Sequence, residues 1–145
     1  MQSKSRVLEG YGRSLNNLRI LAAGILFILG VLGTLGGIAL IIEPSGGRLG
    51  LEIAQLSSSP FKNYLVPGIL LLTVIGLDSL ILAYFTYSNF AFSAPLMIIQ
   101  GVVLLLWLTI EYSLGFSYPT AQLPAVFLGV GLILLGIRLN RFVPG

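Results

Sequence analysis

The chain has 145 residues, of which 56% are hydrophobic and only 9% charged, against about 25% charged in an average soluble protein. That composition, with a mean hydropathy of +0.98, excludes an ordinary soluble domain and predicts a single lipid-embedded one. The absence of Cys and His removes thiol chemistry, disulfides and the usual zinc and haem ligand sets, and a net charge of +3 from few basic residues gives no footprint for nucleic acid.

The first apolar run, 20–42, contains 23 uncharged residues and spans roughly 34 Å as a helix, enough to cross a hydrocarbon layer of about 30 Å. Its length exceeds the roughly 7–15 residues of a signal-peptide core, and no small-residue cleavage site follows it, so a membrane helix is expected. A second run, 65–87, is interrupted only by Asp78 and opens with Pro67 in its first turn, where proline is tolerated. Asn63 is its candidate cap. The third, 95–114, follows Ser93 and carries Gln100 and Glu111; the fourth, 123–139, begins with Pro124 and ends at Arg138. The connectors at 88–94 and 115–122 are short, which makes neighbouring helices antiparallel. The expected fold is therefore an all-α, four-transmembrane-helix up-down bundle, with a basic tail at 1–19 and an outer connector at 43–64.

That outer connector is the most charged internal segment. Pro44, Gly46 and Gly47 stop the first helix after Glu43, and Leu49, Ile53 and Leu56 then recur at i, i+4 and i+7, which predicts a short amphipathic insert on the outer interface. Alternation through Leu49, Leu51 and Ile53 also permits a small extended segment. Tyr64 is placed by composition at headgroup depth, and Trp107, Tyr112, Tyr118, Phe90 and Phe92 read as aromatic belts without chemistry.

Lys4, Arg6, Arg13, Arg19, Arg138 and Arg141 fall on the side of the termini, and Arg48 and Lys62 on the other. This bias predicts cytoplasmic N- and C-termini in a cell inner (plasma) membrane protein.

Few residues carry chemistry. Asp78 costs about 2.5–3.5 kcal/mol at a helix centre and is expected to face protein or water. Helical rise puts it about 13 Å, and Gln100 about 7 Å, from the inner helix ends, so the two are candidates for a water-bridged clasp or, less simply, an ion or proton site. Glu43, Arg48, Glu52, Lys62 and Glu111 form a candidate outer polar cluster, read as an interfacial salt-bridge set sealing the bundle end rather than as an acid–base pair. Gly30, Gly33 and Gly37 are helix-packing candidates, the last two as a G-x-x-x-G pair that lets backbones approach.

The run "EPSGGRLGLEIAQLSSSPFKNYLVPG", with the glycine-rich helix before it, resembles a pattern in small four-helix bacterial integral membrane proteins of unknown function. The resemblance covers the first two helices and implies no activity or cofactor. In size and span number the chain is also similar to the DoxX-like families, without carrying an active-site signature.

The expectation is an integral membrane protein acting through helix packing, as a non-enzymatic accessory or structural subunit. Membrane lipids, a homo-oligomer or another membrane protein are its partners, with no nucleic acid, metal or cofactor. The alternative is a small transporter or channel subunit using Asp78 and Gln100.

Overall fold

A computed structural model describes residues 2–113 and 119–141, with side chains for residue 10 and residues 12–113 and 122–141. Its four long helices are α1 (Gln2–Ile42), α2 (Leu65–Tyr87), α3 (Ser93–Ser113) and α4 (Pro119–Asn140). All four contain a stretch long and apolar enough to cross a membrane, and no strand occurs among the described residues. The chain is a multi-pass integral membrane protein with an all-α four-helix fold.

Two boundaries differ from expectation. The helix expected to start at residue 20 begins at Gln2. No proline interrupts residues 2–42, so nothing removes a backbone donor or blocks the preceding turn. The 41 residues of α1 measure about 61 Å by helical rise, about twice the hydrocarbon thickness, and its basic first turns must extend beyond the lipid. In α4, Pro119 rather than Pro124 occupies the first helical position, where its fixed φ is an advantage, and Pro124 lies inside the helix. Residues 115–118 of the third connector, Tyr118 among them, lie outside the described residues, and 119–122, expected as connector, belong to α4.

The helices associate as two hairpins, α1 with α2 and α3 with α4, and the hairpins meet through α1–α4 and α2–α3 contacts. Lipid offers no hydrophobic drive between helices, so close backbone approach has to supply the attraction. Gly33 and Gly37 provide it within the chain: a Cβ on Gly33 would stand 2.9 Å from the Gly76 nitrogen, and one on Gly37 2.6 Å from the Leu72 nitrogen. A Cβ on Gly30 would meet Leu80 at 2.7 Å. The second hairpin uses the same device, with Gly101 against the Gly129 carbonyl and Gly136 against the Ala94 carbonyl. Leu26, Met97 and Leu132, fully buried, fill the space between the pairs.

α2 is not uniformly α-helical. Leu71–Leu77 forms a π-helical stretch between α-helical turns at Leu65–Leu70 and Asp78–Tyr87, and the Asp78 N–H bonds the Thr73 carbonyl, five residues back. A π segment takes up an extra residue per turn and rotates everything after it relative to an α-helical register.

The outer connector is a packed lid made of two 3₁₀ turns, Gly47–Leu49 and Ile53–Ser58, rather than an amphipathic α-helical turn. Of the expected stripe only Leu56 is buried, with Leu49 and Ile53 exposed. Two positive-φ glycines, Gly46 at 83° and Gly50 at 68°, split the segment before a continuous helix can form. Tyr64, expected at headgroup depth, is instead the lid's centre, 2% exposed and packed with Leu40 and Leu56. Its N–H bonds the Pro44 carbonyl at 2.9 Å, and its hydroxyl donates to the Glu52 carbonyl at 2.9 Å and lies 3.2 Å from Gln55 Oε1. An aromatic ring with a polar tip gains more here by closing the lid's backbone than by meeting water.

Candidate functional site

The polar residues of the spans fall into two regions, one near the middle of the bundle and one under the lid. At the middle, Gln100 of α3 is 2% exposed. Its Nε2 donates to Ser79 Oγ at 2.9 Å and to the Val74 carbonyl at 3.1 Å, joining the hairpins through a buried polar clasp. Ser79 is fully buried. The clasp thus exists at the expected depth, but its partner on α2 is the residue next to Asp78.

Asp78 itself is exposed on the lateral surface of the bundle, and no hydrogen bond or ion pair from the described residues reaches its carboxyl. The expected clasp between Asp78 and Gln100 is therefore not formed within this chain. One residue corresponds to about 100° around a helix, so when Ser79 points inward its neighbour must point away. Asp78 lies two positions past the middle of Leu65–Tyr87, about 3 Å along the axis by helical rise. Ile81, Leu77 and Val74 surround it on the same exposed side.

At the outer end, the five expected cluster residues separate. Glu43 and Arg48 form an ion pair with Nε 3.4 Å from Oε2, both side chains about half exposed, and Ser45 donates to the other Glu43 oxygen at 3.0 Å. It is the only ion pair among the described residues. Glu52 opens the second 3₁₀ turn, its N–H donating to Gln55 Oε1 at 3.3 Å, and Lys62 is exposed without an ion-pair partner. Glu111 belongs to a different environment. Trp107, one turn back on α3, donates its indole N–H to Glu111 Oε1 at 2.6 Å, and Gln122 of α4 is a second donor to the carboxyl. Trp107, expected to be a belt residue, is instead part of this inner wall.

The geometry that exposes this wall is a divergence of the two hairpins. The outermost turns of α2, Leu65–Leu70, approach α1 but have no close backbone neighbour in α3. The lid spans the gap above, and a cavity of about 240 Å³ remains beneath it. No sequence pattern marks this space, because it arises from the angle between two hairpins and not from any one segment. At the inner end, Arg19 of α1 donates to Asn89 of the α2–α3 turn, where Asn89 takes a positive φ of 60°, so the hairpins are tied together there. Among the described residues no group of acids forms a metal site.

No protein family, curated protein or solved structure matches the chain, so the function has to be inferred from these two regions.

Proposed function

We propose that the protein is a non-enzymatic accessory or structural subunit of a membrane assembly, and that it docks on a partner through the outward face of α2 around Asp78. The observation that carries this is the position of Asp78. It is a carboxyl near the centre of a span, exposed and without an intramolecular partner. Facing hydrocarbon alone it would cost about 2.5–3.5 kcal/mol on insertion scales, and such residues ordinarily face protein or a water-filled cavity. A neighbouring transmembrane helix that presents a donor at this depth removes the cost. The described spans of this chain contain no Lys or Arg near the depth of Asp78, so a second copy has only another carboxyl to offer there, whereas a different membrane protein can bring a Lys, Arg or His. That asymmetry favours a heteromeric partner. The excess of Lys and Arg on the side of the termini supports a cytoplasmic location for both ends in the inner membrane.

The chain contains no cysteine, which makes site-directed crosslinking direct. Ile81→Cys, beside Asp78 on the exposed face, should give an adduct with a second protein in native membranes, and Asp78→Leu should abolish it. A sole adduct of about 31 kDa, twice the 15.5 kDa chain, would replace the heteromeric reading by a homodimer. Absence of any adduct, with Asp78→Leu accumulating normally, would defeat docking through this face. Gln100 is engaged by Ser79 and Val74, and no described contact favours its use with Asp78 as a transport pair.

A further inference from the structure

The cavity under the lid is a more specific feature than an exposed apolar face. It lies between Leu40 of α1, Leu71 of α2 and Ile110 of α3, is covered by Leu51, Phe61 and Tyr64 of the lid, and is lined almost wholly by carbon. Its volume of about 240 Å³ exceeds the ~150 Å³ of an apolar cavity that holds a benzene ring. A space of this size open to lipid and lined by carbon does not fill with water, which needs two or more polar partners. Its lining suits a hydrocarbon group.

Three residues of the lining have polar side chains: Tyr64, Trp107 and Glu111. Two of the three are committed. The Tyr64 hydroxyl is directed to Glu52 and Gln55 in the lid, and the Trp107 N–H goes to Glu111. Glu111 alone has capacity left. A carboxylate offers about four lone-pair sites, of which Trp107 and Gln122 take two. Neither donor carries charge, and no Lys or Arg of the described residues pairs with Glu111. Its position two residues before the end of Ser93–Ser113 sets it about 3 Å from the outer end of the helix, while Trp107 is about 9 Å in. The carboxyl is thus at the outer end of the cavity lining, level with the lid, and Trp107 lies deeper.

We infer that this cavity is a binding site for a phospholipid of the surrounding bilayer with a primary ammonium head, its chain lying in the cavity against Leu71 and Ile110 and its N–H donors meeting Glu111. Charge complementarity selects the head: an uncompensated carboxylate at the lipid interface is best matched by a group that is both cationic and a hydrogen-bond donor. The depth order, a carboxyl at the outer end and carbon below, matches the orientation of a lipid in that leaflet. The proposal is independent of docking at Asp78, which lies on the outer face of α2 nearer the membrane centre.

Trp107 is the only tryptophan and lines the cavity, so it reports occupancy directly. Phosphatidylethanolamine and phosphatidylcholine with brominated chains are compared as quenchers of Trp107 in the full-length protein in mixed micelles; the second head keeps the positive charge but has no N–H. Phosphatidylethanolamine should quench several-fold more effectively, and Glu111→Gln should bring the two lipids to parity. Leu70→Phe, which fills the cavity from α2 and leaves Glu111 untouched, should reduce quenching by both lipids and decides the matter if Glu111→Gln does not fold. Equal quenching of the native protein by the two lipids, an ethanolamine preference that survives Glu111→Gln, or unchanged quenching in Leu70→Phe would overturn the proposal. So would a brominated diacylglycerol that quenches as well as phosphatidylethanolamine, since a hydroxyl would then suffice.

Discussion

Replacing Gly37 with alanine tests how α1 and α2 are held together. The added Cβ would lie 2.6 Å from the Leu72 nitrogen and 2.7 Å from its Cα. Ordinary van der Waals contact begins near 3.4 Å, so the backbones must separate by about 0.8 Å (3.4 − 2.6) at this crossing. Both atoms belong to main chain, which cannot rotate out of the way as a side chain does. Overpacking of this kind costs about 1–3 kcal/mol, while removing a helix-interior glycine returns at most about 1 kcal/mol. Gly24→Ala in the same helix isolates the second effect, because a Cβ there meets nothing within 4 Å. The propensity gain is common to both substitutions and cancels in their difference, so Gly37→Ala should be less stable than Gly24→Ala by about 1–3 kcal/mol. Reversible unfolding in mixed micelles of increasing SDS fraction measures that difference. If the two variants unfold together, or Gly37→Ala is the more stable, the close crossing does not hold the hairpin.

Three further outcomes follow from the polar contacts. A double-mutant cycle on Ser79→Ala and Gln100→Leu should give a coupling energy of about 0.6–1.7 kcal/mol, the range for interhelical hydrogen bonds in membranes, and a value near zero would remove the clasp. Tyr64→Phe deletes the hydroxyl that donates to Glu52, at a cost of about 1 kcal/mol; hydrogen exchange should rise selectively in residues 44–63, and a uniform rise across all four helices would contradict a local lid. Arg48→Ala breaks the half-exposed pair with Glu43 and should change stability by less than about 1 kcal/mol, so a larger loss in the same SDS titration would show that the pair does more than sit on the surface.

The sequence by itself determined the membrane character, the number of spans and the level at which Gln100 meets α2. Each of these depends on quantities summed along one segment, such as hydrophobic length, proline placement and rise per residue. Gln100 and its α2 partner were legible to within one residue in this way. What the tertiary structure decided was azimuth and the space between segments. The π turn at Leu71–Leu77 alters the phase of α2, so that Ser79 faces Gln100 and Asp78 faces outward, and no apolar periodicity could reveal it in a helix whose two sides are equally greasy. Tyr64 looked like an interfacial aromatic because its lid partners, Pro44 and Glu52, are brought to it only by the positive-φ turns at Gly46 and Gly50. The Trp107–Glu111 wall and the cavity it borders exist because two hairpins, each closed tightly by its own glycines, diverge toward the outer face; that angle belongs to no single stretch of chain.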